Sequence, residues 1–407
     1  MARALLLIAA LGCGSGAEHH VDGGSGDAAP DAATRGYRLA ATGVTLDPTM
    51  GDSIGDANLA DDVDVIAVHQ DFYGVPWSAF LANTAPPAAW ATQMQTIAQH
   101  TAGHDVFLSL APLDGSRQTL APDVNPDGTQ QPGWKPACYD LATAGDGAAI
   151  QTAYAAYVTY MIELFHPKWV NVAIEVNLFH VACPSAWDGM VALERAAYAA
   201  AKAAAPATPA FPSIQINVLD GAAYNAEYAA LANLQRDRFA ISAYPYAIAA
   251  YATPADIPAD WLTRAAAQGG EQLFFAETGW LGSDIVALAP DGLCETVLAD
   301  PPEEQADYFD LLVATAKANG VEVITWFSDR DVLPPQTMTD CPCTFSQTWC
   351  NVVAYFRSLG GSDPTLQFEE EVAIKTFGTL GIRYYDGTPR QPVYSHWQTA
   401  RAPALAP

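Results

Sequence analysis

Eight short apolar runs, each followed by a helix-patterned stretch or a long loop, constrain this chain more than any other feature. The runs are 37–44, 63–69, 105–110, 169–176, 213–218, 238–244, 272–280 and 321–327. Their β-branched and aromatic content favours strands. Their apolarity is continuous rather than alternating, which points to strands covered on both faces, as in a parallel sheet. Between them lie Ala-rich stretches of helical length at 88–100, 148–165, 186–204, 222–234, 258–267, 303–318 and 346–359. Such alternation is the pattern of βαβ units. Eight units predict a closed (β/α)8 barrel, an α/β fold. No Gly-rich phosphate loop follows the first run, which argues against a nucleotide-binding doubly wound sheet. The 407 residues suffice for one large barrel with decoration.

The barrel does not begin at residue 1. Met1-Ala2-Arg3 is a basic start, and Ala4 to Leu11 is apolar but too short to span a bilayer. Gly12-Cys13 then resembles the lipobox of bacterial lipoproteins, in which Cys13 becomes the acylated first residue. This divides the chain into a signal peptide (1–12), a flexible tether rich in Gly, Ser, Asp and Ala (13–36) and a single folded domain (37–407). The expected location is the bacterial cell envelope, lipid-anchored at the outer membrane, or the exterior. Cys138, Cys183, Cys294, Cys341, Cys343 and Cys350 remain, an even number that in an exported chain reads as three disulfides. Adjacency suggests Cys138 with Cys183 and the other four among themselves. With 18 basic against 45 acidic residues, the net charge of −27 disfavours nucleic acid and anionic lipid as partners. A monomer is expected, and no cofactor is called for.

The chemistry of a (β/α)8 barrel collects at the C-terminal ends of its strands. Those ends carry His69 and Asp71 on the second run, and Glu175 and Asn177 on the fourth. Asn217 lies on the fifth, Tyr244 on the sixth, Glu277 and Trp280 on the seventh, and Trp326 on the eighth. Two carboxylates across a cleft can act as acid/base and nucleophile at an acetal carbon. Aromatic faces suit sugar rings, and the scarcity of Lys and Arg disfavours phosphorylated substrates. Tyr73, Trp77, Trp134 and Trp187 are candidate sugar platforms, but loop packing is the favoured reading for each. The eight histidines form no His-x-His or His-Glu-x-x-His pair for a metal site, and no Gly-x-Ser-x-Gly elbow is present for a serine hydrolase.

Three motifs give the chain a resemblance to the clan A glycoside hydrolases, retaining barrels with glutamates on strands four and seven. Val172-Ala173-Ile174-Glu175-Val176-Asn177 resembles the acid/base strand. Phe275-Ala276-Glu277-Thr278-Gly279-Trp280 resembles the nucleophile strand, in the form known from β-1,3-glucanases and arabinogalactan endo-galactanases. The segment from Phe377 through Gly381 and Asp386-Gly387-Thr388-Pro389-Arg390 resembles the ending common in these barrels. The resemblance implies a glycosidase acting on a poly- or oligosaccharide, with Glu277 as nucleophile and Glu175 as acid/base. It also implies Tyr244 bonded to Glu277 and Trp326 beneath the sugar at the cleavage site. Most members of the clan place Asn before the acid/base, whereas Ile174 stands here, and Asn177 is the residue that could compensate. The alternative is a non-catalytic carbohydrate-binding lipoprotein on the same barrel.

Overall fold

A computed structural model of the chain describes residues 34–43, 57–71, 73–219, 224–248, 250–299, 302–334, 337–338, 341–342, 348–359 and 361–406. The expected signal peptide, Cys13, nearly all of the expected tether, and Cys343 lie outside the described residues. Eight parallel strands close a barrel: β1 (Arg38–Thr42), β2 (Val65–His69), β3 (Asp105–Ser109), β4 (Trp169–Ala173), β5 (Ala210–Gln215), β6 (Phe239–Ala243), β7 (Leu273–Thr278) and β8 (Val323–Phe327). Closure is made by β1 on β8, from Arg38 opposite Val323 to Thr42 opposite Phe327. The barrel interior is filled by Ala40, Val65, Ala67, Phe107, Trp169, Phe211, Ala240, Phe274, Ala276 and Val323. The opposite strand faces pack against the surrounding helices in one larger apolar cluster.

The helices are α1 (Ala57–Asp62), α2 (Trp77–Leu81), α3 (Ala88–His100), α4 (Gly147–Phe165), α5 (Asn177–Ala182), α6 (Trp187–Ala204), α7 (Tyr224–Ala230), α8 (Arg264–Gly269), α9 (Pro302–Asn319), α10 (Thr348–Leu359), α11 (Pro364–Phe377) and α12 (Val393–Arg401). Their ends follow local chemistry. α9 opens with Pro302 and two acidic residues and closes with Lys317, matching the helix dipole. Asp363 caps α11 by accepting from Thr365 N at 2.9 Å. α8 stops where Gly270 takes φ +76°.

Two expected elements shift. The fifth strand begins at Ala210 rather than 213, because Pro212 falls where the register with β4 slips and does not interrupt the ladder. The helix expected over 258–267 is confined to Arg264–Gly269, since Trp261, Thr263 and Arg264 donate to Pro258 and Asp260 in a series of turns.

Cys138 is bonded to Cys183 and Cys294 to Cys341, and Cys350 is also disulfide-bonded. The first bond ties the long β3–α4 loop to the end of α5. After β8 the chain folds back over the barrel. Arg390 donates to Gly381 O at 3.1 Å, to Gly282 O and to the Asp331 carboxylate, whose other oxygen accepts from Gly381 N at 2.9 Å. A Cβ at Gly381 would stand 2.3 Å from Asp331 N, so only glycine fits this crossing. At the other end of the barrel, Arg35 bridges to Leu405 and pairs with Asp64 at 2.5 Å. Both ends of the folded chain therefore meet at the N-terminal side of the strands. A cavity of about 790 Å³ lined by Arg35, Tyr37, Lys317 and His396 also lies there, away from the strand ends that carry the carboxylates.

Candidate active site

Glu277 reaches the mouth through a bulge. Strand residues alternate between barrel interior and helix layer, and Phe274 and Ala276 are interior. Glu277 should then point outward. Against β6, Phe275 and Glu277 lie opposite consecutive residues, Ile241 and Ser242. Against β8, Phe275 and Thr278 lie opposite Ile324 and Trp326. The one extra residue rephases the strand, so Ala276 and Glu277 both face inward. Thr278 then faces outward, where it meets Tyr308 of α9. Gly279 follows because β8 crosses at that point: a Cβ would lie 2.9 Å from Phe327 O.

The Glu277 carboxylate is 7% exposed and held on both oxygens. His69 Nε2 lies 2.6 Å from Oε2, and the Tyr244 hydroxyl donates to Oε1. Burial opposes charge on His69, but Glu277 outweighs it and holds the imidazole above its usual value. Tyr244 is pushed far above an ordinary phenol by burial and then by Glu277. Asn217 does not face the mouth as a free amide. It closes on the Tyr244 backbone, donating to O at 2.7 Å and accepting from N at 3.2 Å, and so fixes where the tyrosine stands.

Glu175 follows the end of β4 in a left-handed conformation with φ +48°. For a non-glycine residue this is strained and persists only when the surroundings enforce it. The enforcing contacts form a chain. Asn171 donates to Ser109 Oγ at 2.9 Å and accepts from Ser213 N at 3.0 Å, and Ser213 Oγ accepts from Glu175 N at 2.9 Å. Asn177 is fully buried and is spent on both backbone groups of Gln215, so it does not compensate for Ile174. Arg117, in the β3–α4 loop, donates through Nε to Glu175 Oε2 at 3.2 Å and through both terminal nitrogens to Asp71 at 2.6 Å each. Burial pushes the Glu175 carboxyl up to about 7, with Arg117 opposing and the charges of Glu277 and Asp71 reinforcing. Asp71 is pushed up by burial, but Arg117 prevails and holds it below the usual carboxylate range.

Two expected sugar-contacting tryptophans lie elsewhere. Trp326 faces the helices: its ring packs on Tyr308 and Phe309, and its indole donates to Leu380 O at 2.7 Å. With Val323 interior, alternation along β8 points Phe327 inward, and the Phe327 ring meets His69 edge-on at 5.8 Å. Trp280 is 1% exposed, packed between Tyr246 and Tyr308, and is not an open platform. The sequence reading missed Arg117 and Phe327. Tyr246 is buried beside Tyr244, its hydroxyl finds no hydrogen-bond partner among the described residues, and the charges of Glu277 and Glu175 both reach it. A lone arginine in a chain this poor in basic residues, placed in a loop above the barrel, was the available signal for Arg117.

The closed eight-stranded parallel barrel is shared with solved structures of glycoside hydrolases. One is a GH5_18 protein from Streptomyces cattleya in complex with Manb1-4GlcNAc, at TM-score 0.56 and 13% identity over 91% of this chain and 83% of that one. Another is an exo-beta-1,4-mannosidase from Opitutaceae bacterium strain TAV5, at TM-score 0.56 and 12% identity over 90% and 59%. A third is xylanase10C from Cellvibrio japonicus, at TM-score 0.52 and 12% identity over 89% and 70%. No protein-family model matches the chain, and no curated protein does. At this identity the likeness defines the fold.

Proposed function

We propose that the protein is a retaining glycoside hydrolase acting on a poly- or oligosaccharide. The observation that carries this reading is the opposite treatment of two carboxyls in one mouth. Glu277 is gripped on both oxygens by donors, as a carboxylate nucleophile requires. Glu175 is buried and repelled by Glu277 until it holds a proton near neutral pH. Glu277 attacks the anomeric carbon while the proton of Glu175 passes to the departing glycosidic oxygen. A glycosyl ester and a free alcohol result. Esterification removes the negative charge of Glu277, so Glu175, now ionised beside Arg117, can take a proton from the water that cleaves the ester.

The test is hydrolysis of a panel of mannans, glucans, galactans, xylans and aryl glycosides. Turnover is expected in the wild type, with loss of about 10³-fold or more in Glu277→Ala and Glu175→Ala. Azide should restore glycosyl transfer to each variant with opposite anomeric products. Saccharide binding with no turnover across the panel would overturn the reading in favour of a binding protein, the outcome that Ile174 leaves open. We also infer export with Cys13 as the lipid-bearing residue. Disulfides fit an oxidising compartment, and radiolabelled palmitate incorporation lost in Cys13→Ser tests it.

A further inference from the structure

Arg117 belongs to no motif that suggested the function, yet it has more polar contacts than either glutamate. It lies in a tight loop with φ +55°. Asp114 forms that loop, its carboxylate accepting from Ser116 N and Oγ and its carbonyl accepting from Arg117 N. The guanidinium is 5% exposed and its donors are spent on the Asp71 carboxylate, the Asp114 carbonyl and Glu175 Oε2. This is a bidentate clamp, which fixes the guanidinium plane. One oxygen of Glu175 is thereby occupied. Among the described residues no hydrogen bond is made to the other, Oε1, which leaves it to carry the transferable proton.

We propose that Arg117, aimed by Asp71, is the positioning residue that orients Glu175 and sets how readily it gives up and takes back its proton. The inference rests on the reading of Glu175 as acid/base. The charged groups facing Glu175 are Arg117 from the β3–α4 loop, Asp71 from the β2–α2 segment and Glu277 from β7. The hydroxyls of Tyr244 and Tyr246 lie on the β6 side, and His69 acts through Glu277 and Asp71. Arg117 is the cation in direct contact. Removing it withdraws the attraction that favours ionised Glu175. Neutralising Asp71 withdraws a repulsion and leaves Glu175 as the guanidinium's only carboxylate in contact. The two changes therefore act with opposite sign.

The experiment is ¹³C-carboxyl NMR titration of Glu-labelled full-length protein, with the Glu175 resonance assigned by its loss in Glu175→Gln. In Arg117→Gln the midpoint should rise by at least about one pH unit. In Asp71→Asn it should fall, and in Arg117→Lys it should rise by less than in Arg117→Gln. The basic limb of kcat/KM should move by the same amounts and in the same directions. Should Arg117→Gln fail to fold, the other two variants decide. Midpoints unchanged, or moving in one direction in both the arginine and the aspartate variants, would overturn the proposal even if the wild type is active. A wild type without turnover but with opposed midpoints would overturn the glycosidase reading and leave the role of Arg117 standing.

Discussion

Arg390→Met removes one half of a buried ion pair. Arg390 is 1% exposed and Asp331 is buried with it. Three groups lose a donor: the Asp331 carboxylate and the carbonyls of Gly282 and Gly381. Gly381 O keeps a long bond from Gln305 Nε2 at 3.4 Å, so the carboxylate dominates the loss. Stranding a buried charge costs about 3–5 kcal/mol, a large part of the roughly 5–15 kcal/mol that holds a domain together. Arg390→Met should therefore lower the urea-derived stability by about 4 kcal/mol. Adding Asp331→Asn keeps an acceptor for Gly381 N and removes the charge, so the double variant should regain at least about 1.5 kcal/mol. The deficit must also depend on pH. Burial pushes the Asp331 carboxyl up and Arg390 pulls it down. Without Arg390 the folded pKa rises further above the unfolded value, and stability is then lost as pH increases through that range. The single variant should fall further below wild type at pH 8 than at pH 5. A loss under about 1 kcal/mol, or a double variant at least as unstable as the single, would refute the reasoning.

Activity should require the protonated Glu175 and so decline as pH rises through about 7, checked by the kcat/KM profile. Tyr244→Phe takes a donor from the carboxylate that must leave in the second step. It should lower kcat by about 10- to 150-fold, with KM falling as glycosyl-enzyme accumulates, seen as a pre-steady-state burst. Trp326→Phe should reduce stability while leaving kcat/KM within about threefold, because its ring faces the helices. Phe327→Leu should reduce kcat/KM by up to about tenfold, because its ring lies at the mouth. Cys138→Ser with Cys183→Ser opens a closure spanning 45 residues, worth about 4 kcal/mol by loop entropy, and calorimetry should show a lower Tm.

The barrel was legible because its evidence is periodic: eight apolar runs recur at the spacing of βα units, and all eight strands lie on or beside them. Glu175 and Glu277 were legible because each ends such a run. Facing was not, because it depends on register. One extra residue in β7 turns Glu277 inward, and no extra residue in β8 leaves Trp326 outward with Phe327 in the position the tryptophan was expected to take. Asn177 and Asn217 carry the polar type a sugar site needs, but their amides are closed on the backbones of Gln215 and Tyr244. Arg117 was hidden for a different reason. Its partners are 46 and 58 residues away in sequence and become neighbours only when the barrel closes.

The bridge between Arg35 and Leu405 gives the molecule a back and a front. The folded chain is entered and left on the side opposite the carboxylates. The first and last described residues, Thr34 and Ala406, thus lie on the face away from Glu175 and Glu277, and a label or surface attachment joined there would leave the mouth uncovered.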